Sequence, residues 1–134
     1  MGEREEMEVR PGNKGGATVP PTKFREWRFR VPGPLLGYRA SVRRCFDPRY
    51  GAYKDDVVTL AREAGLYELD PKLSYVTLSV QIFWRKKPRI DWTNVYKAIE
   101  DALWPRDRYV RPGPCSWAMN TGFEEAHVTV ERIL

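Results

Sequence analysis

The clearest pattern along the chain is a regular alternation of apolar and polar side chains in LSYVTLSVQIFW, residues 73–84. Apolar residues recur at every second position: Val76, Leu78, Val80, Ile82 and Trp84. Polar residues fall between them: Thr77, Ser79 and Gln81. Because neighbouring side chains of a strand point to opposite faces, this segment is predicted to be a β-strand with one buried face.

Two other segments alternate in the same way, EWRFRV near the start of the chain and EAHVTVERI near its end. In the first, apolar residues alternate with arginines, which predicts a strand with a basic outer face. In the second, Ala126, Val128 and Val130 are predicted to point inward. His127, the only histidine, then falls on the polar side, where a solvated position is expected in preference to a role as base or ligand.

Two segments have the spacing of helices. In DPRYGAYKDDVVTLAREAG the apolar residues recur at intervals of three and four: Tyr53, Val57, Leu60, Ala61 and Ala64. Asp47 and Pro48 provide a start signal, and Gly65 provides a stop. A second helix is predicted from about Asn94 to Leu103, because Pro105 prevents its continuation.

The order of these elements predicts the fold class. Strands and helices alternate, which favours a single α/β domain of two layers (α+β), with a mixed sheet packed against two main helices. The domain is expected to cover residues 24–134, a length sufficient for one core. Residues 1–23 are rich in Gly, Pro and charge, and they are predicted to form a flexible arm. With no signal-like or membrane-spanning segment, an intracellular, cytoplasmic protein without a membrane partner is expected.

Basic residues are concentrated in two places. The net charge is +5, and residues 1–23 contribute nothing to it. Residues 24–49 contain seven arginines and only two acidic residues, and the segment Arg85–Arg89, here called the basic loop, adds four more cations. Such patches favour a polyanionic partner such as nucleic acid. An arginine-rich, solvated surface is the alternative.

The stretch DWTNVYKAIED lies directly after the basic loop and carries the candidate chemistry. Asp91 and Thr93 are two apart in a predicted extended segment, so their side chains are expected to point the same way. Three polar residues then form one stripe of the helix: Asn94, Lys97 and Asp101. Carboxylates that bind Mg²⁺ together with a nearby cation are what phosphodiester hydrolysis requires. Alternatively, Asp91 or Thr93 caps the helix and Lys97 pairs with an acidic neighbour, Glu100 or Asp101.

The segment IDWTNVYKAIEDAL resembles the D-x-D-N-L-x-K-x-x-x-D-A-L core of the RusA family of Holliday-junction resolvases. Three flanking segments are similar to the family in the same order: FRVPGPLLGYRAS, DPRYGAYKDDVVTLAREA and RDRYV. The resemblance covers residues 24–134. It implies a homodimeric endodeoxyribonuclease, dependent on Mg²⁺ or Mn²⁺, that resolves four-way DNA junctions in recombination and repair in a prokaryote or phage.

By this resemblance, Asp91 and Asp107 are metal ligands and Lys97 is the catalytic lysine. Supporting or structural roles are implied for three neighbours: Thr93, Asn94 and Asp101. Phosphate contacts are expected from seven basic residues: Arg39, Arg43, Arg44, Arg85, Lys86, Lys87 and Arg89.

The chain also departs from the family pattern. Thr93 stands where the family has its second ligand aspartate, and Arg106 replaces the first residue of a D-D pair. A threonine hydroxyl has no negative charge, on which hard divalent cations depend. A second interpretation is therefore a catalytically impaired protein that binds branched or duplex DNA without cleaving it. A globular domain with an incidental basic surface is the third.

Overall fold

Four strands and two α-helices make up the described part of the protein. In the computed structural model the described residues are 24–41, 46–66, 75–104 and 110–133. The strands are β1 (Phe24–Pro32), β2 (Tyr75–Phe83), β3 (Val110–Ala118) and β4 (Glu125–Ile133). The helices are α1 (Tyr50–Glu63) and α2 (Trp92–Leu103), with a short 3₁₀ helix at Tyr38–Ser41.

The strands form one mixed sheet in the order β1-β4-β2-β3. Strand β4 is antiparallel to both of its neighbours, whereas β2 and β3 are parallel. Parallel neighbours need a crossover connection, and α2 lies in that connection. The predicted fold class, a single α/β domain of two layers with a mixed sheet and two main helices, is confirmed.

The alternating residues of the sequence form the sheet side of the core. Phe29, Val128 and Val80 are register partners across β1, β4 and β2, and all three are buried. The helices bury their apolar stripes in the same cluster, through residues such as Val57 of α1 and Ile99 of α2. Both helices therefore cover one face of the sheet. Among the described residues, no helix has both the length and the apolar character needed to cross a bilayer.

Strand β3 is the element that the hydrophobic pattern did not predict. Its sequence VRPGPCSWA shows no alternation and contains two prolines. It lies at the edge of the sheet, where a proline that donates no hydrogen bond is tolerated. The register shifts beside Gly113, where an added Cβ would collide with Ser79 Oγ and lie 2.7 Å from Thr77 Cγ2. Only a glycine allows β2 and β3 to approach so closely.

Candidate functional site at the loop end of the sheet

Three strands end and one begins on the same side of the sheet. Pro32 of β1 and Phe83 of β2 both pair with Glu125, the first residue of β4, and Phe83 also pairs with Ala118 of β3. The connections that follow the first three strands therefore meet at one end of the sheet, where these strands finish, and this end is here called the loop end. Helix α2 begins there as well. In open α/β sheets, ligands bind outside the carboxyl ends of the strands.

An ion pair fixes the three connections to one another. Arg89 Nε and Nη2 donate to the two carboxylate oxygens of Glu124 at 2.9 and 2.6 Å. Leu35 N donates to the same carboxylate at 2.7 Å, and Leu35 O accepts from Arg89 Nη2 at 2.9 Å. The Arg89 guanidinium lowers the pKa of Glu124 by hydrogen bonding to its charged form. Arg89, predicted to bind phosphate, thus holds the loop end together.

The basic loop is also attached to the segment before β4 through the backbone. Asn120 N donates to Lys86 O at 2.8 Å, and Gly122 N donates to Arg85 O at 3.2 Å. The Arg85 guanidinium donates to Gly122 O at 2.6 Å. The side chains of Lys86 and Lys87 are exposed, and neither has an ion-pair partner among the described residues. Of the basic loop, these two lysines are the residues whose side chains no described residue engages, so they are the candidates to contact an anion.

Asp91 is the N-cap of α2. Its Oδ1 accepts from Thr93 N at 3.1 Å and from Thr93 Oγ1 at 3.0 Å. The interpretation of Asp91 as a helix cap is confirmed, and such a cap satisfies backbone N–H groups that the helix leaves unpaired. No donor among the described residues bonds Oδ2. Asp91 can therefore cap the helix through one oxygen and offer the other to a ligand.

Thr93 lies beside Asp91 for a different reason from the one predicted. The prediction assumed an extended segment, but α2 already begins at Trp92, so Thr93 is helical. Its side chain approaches Asp91 because it takes part in the cap. The hydroxyl donates to the carboxylate, so it orients Asp91 and adds no negative charge.

Lys97 and Asn94 face the 3₁₀ helix. Lys97 Nζ lies 5.7 Å from the centroid of the Tyr38 ring, within the range of a cation–π contact. Lys97 is exposed and forms no ion pair within the described part of the chain. A Cβ added at Gly37 would lie 2.7 Å from Ile90 Cγ2 and 3.2 Å from Asn94 Cβ, so the 3₁₀ helix sits directly on α2.

The remaining residue of the predicted stripe, Asp101, is bound to α1. Its carboxylate accepts from Lys54 Nζ at 3.1 Å and from the Tyr50 hydroxyl at 3.4 Å. Burial, reinforced by the negative charge of Asp101, raises the pKa of Tyr50. These contacts join the two helices and are consistent with the structural role predicted for Asp101. The predicted alternative in which Lys97 pairs with Asp101 is not observed.

The other predicted residues are only partly described. Arg39 lies exposed on the 3₁₀ helix next to Tyr38. Three predicted residues lie outside the described ranges: Arg43, Arg44 and Asp107. Within the described ranges, no three His, Cys, Asp or Glu side chains are grouped closely enough to hold a metal ion. His127 is half-buried, contacting the Glu125 carboxylate and lying 4.6 Å from the Phe83 ring.

Three residues of this region were not singled out from the sequence: Tyr38, Lys54 and Glu124. Each acts through a partner far away in the chain, which leaves no local pattern. Comparison with known proteins adds no further candidate, since no family model matches the chain and a search of curated proteins returns no match. The residues at the loop end and the motif in α2 therefore remain the candidates for function.

Proposed function

We propose that this protein is a RusA-like, metal-dependent endodeoxyribonuclease that nicks four-way and other branched DNA junctions as a homodimer in the cytoplasm. The observation that carries the proposal is the arrangement of α2. One helix presents at its start the Oδ2 of Asp91, to which no described donor bonds, and two turns later the ammonium of Lys97, which pairs with no described acid. Both follow a basic loop whose Lys86 and Lys87 are exposed.

Each of these groups has a role in phosphodiester hydrolysis. Asp91 Oδ2, with Asp107 as implied by the resemblance, would hold Mg²⁺ or Mn²⁺. When bound, the metal lowers the pKa of a water molecule and neutralises charge on the phosphate. Lys97 supplies a compact positive charge for the oxyanion that develops during bond cleavage. Lys86 and Lys87 contact flanking phosphates, which contributes affinity without sequence preference.

The proposed homodimer matches the symmetry of the proposed substrate. A four-way junction has approximate two-fold symmetry, and a symmetric dimer would present one site to each of two opposed strands. This part of the proposal rests on the resemblance in α2.

The direct test is metal-dependent nicking of a synthetic four-way junction, beside a duplex of the same sequence. The parent protein should nick the junction with Mg²⁺ or Mn²⁺ and be inactive in chelator. Asp91→Asn should abolish nicking, because an amide has no charge for the metal, yet asparagine remains a good N-cap and the fold should persist. Lys97→Ala should reduce nicking while leaving metal binding unchanged. Nicking by Asp91→Asn at the parent rate would refute the proposed site.

A catalytically impaired DNA-binding protein is the second candidate, and Thr93 favours it. The Thr93 hydroxyl bonds Asp91 and gives no charge at a position where the family has a carboxylate. Such a protein should shift a junction on a gel equally well with metal and with chelator, and should never nick it. Negligible DNA binding at low salt would instead favour an incidental basic surface.

A further inference from the structure

Lys97 and Asp101 are four residues apart on α2, a spacing at which opposite charges usually interact. Here they do not pair, because Asp101 is bound to Lys54 of α1 at 3.1 Å. We propose that Lys54 is a positioning residue: by occupying Asp101, it keeps the Lys97 ammonium available for a phosphate group of DNA. This inference rests on the proposed function and assigns to it a residue outside the α2 motif.

The surroundings of Asp101 explain why Lys54 is the partner. The side chains of Lys54 and Asp101 are 33% and 27% exposed, so their attraction is less screened by water than that of a fully exposed pair. Tyr50 stabilises both partners, since its hydroxyl donates to Asp101 and its ring centroid lies 5.1 Å from Lys54 Nζ. The competing pair would be Lys97 with Asp101, in which the lysine precedes the acid along the helix. A helical pair in that order is weaker than one in which the acid precedes the lysine.

Tyr38 gives Lys97 a support that does not neutralise it. An aromatic face attracts an ammonium group but carries no net charge, so the full positive charge remains for an incoming anion. The 3₁₀ helix that carries Tyr38 is held against α2 by the close approach at Gly37. Lys54 thus occupies Asp101, the acid four residues from Lys97, and the Tyr38 ring orients the Lys97 ammonium.

The test is DNA affinity in chelator, measured as a function of salt so that cleavage plays no part. Lys54→Met should free Asp101 to capture Lys97, which weakens junction binding and reduces the slope of log K against log salt by about one. Adding Asp101→Asn to Lys54→Met should restore both the junction affinity and the salt slope. Adding Asp55→Asn instead changes the net charge equally but leaves Asp101 in place, so it should restore neither. In a Lys97→Ala background, Lys54→Met should have no further effect.

A measurement on the free protein separates this inference from the proposed function. The NMR signal of ¹³C-dimethylated Lys97 should carry a ring-current shift that Tyr38→Leu removes and Tyr38→Phe retains. Lys54→Met should also remove that shift, and Lys54→Met/Asp101→Asn should restore it. If the chemical shift of Lys97 is unchanged by Lys54→Met, the inference is overturned even if the junction is nicked. Failure to bind or nick any junction would instead remove the proposed function, while the NMR result still decides the role of Lys54.

Discussion

Replacing Arg89 with methionine tests the ion pair that holds the loop end together. Methionine keeps an apolar stem near Trp84, whose ring centroid lies 5.7 Å from the guanidinium carbon, and removes the charge. Among the described residues, the Glu124 carboxylate would then keep only its hydrogen bond from Leu35 N, although this side chain is just 13% exposed. An unpaired, largely buried carboxylate is expensive in free energy, and the folded state should be destabilised accordingly.

The size of the effect lies between two known limits. Breaking a fully buried ion pair costs about 3–5 kcal/mol, and an exposed pair contributes less than about 1 kcal/mol. Glu124 is nearly buried but Arg89 is 48% exposed, so we expect a loss of about 2–3 kcal/mol in unfolding free energy. With a urea m-value of about 1.5 kcal/mol/M, the midpoint should fall by roughly 1.3–2 M.

The assay is urea unfolding followed by tryptophan fluorescence at several pH values. Because the pKa of Glu124 is lowered in the folded state, the pair stabilises the protein above the unfolded pKa of about 4.3 and loses this effect as the pH falls through the folded value. The difference between parent and variant should therefore be full at pH 7 and shrink in acid. Arg28→Met, which removes an exposed pair with Glu26, is the control and should cost less than about 0.5 kcal/mol. Equal losses in the two variants, or a difference independent of pH, would refute the reasoning.

Three other outcomes are expected. Gly37→Ala should lower Tm by roughly 4–12 °C, because its Cβ would stand 2.7 Å from Ile90 Cγ2 and the resulting strain costs about 1–3 kcal/mol. The control Gly51→Ala should raise Tm instead, because Gly51 lies on α1 with open space around it. Asp91→Ala should cost about 1 kcal/mol in urea unfolding through loss of the cap, and Asp91→Asn only a few tenths; equal losses would contradict the capping role. Thr93→Asp should strengthen Mn²⁺ binding in calorimetry by adding a carboxylate beside Asp91, and unchanged affinity would mean that the motif has been aligned wrongly.

Strands β2 and β4 were predictable from the sequence because each has one buried and one polar face. Strand β3 was not, since its pattern is interrupted at Pro112, Gly113 and Pro114 and its position at the sheet edge requires no alternation. Helix α2 was predicted about two residues too short at its start, because Trp92 and Thr93 were assigned to an extended segment. The cap at Asp91 marks the true boundary.

For the candidate site, the sequence predicted which side chains share a stripe of α2 but not what they contact. The contact between Asp101 and Lys54 spans 47 residues, and that between Arg89 and Glu124 spans 35. Both depend on how elements pack together, which local periodicity does not encode. For the same reason Arg89 was grouped with the phosphate-binding residues, although its guanidinium is engaged by Glu124 and by Leu35 O.

The register of the sheet has a practical consequence. Phe24 of β1 and Tyr75 of β2 both align with Ile133 of β4, so the chain enters and leaves the sheet at adjacent points on the side opposite the basic loop. A dye or surface tether attached at Tyr75, which is exposed at this end of the sheet, would therefore be remote from Asp91 and the basic loop. A protein immobilised through Tyr75 would hold the loop end away from the support, which suits single-molecule tests of whether branched DNA binds there.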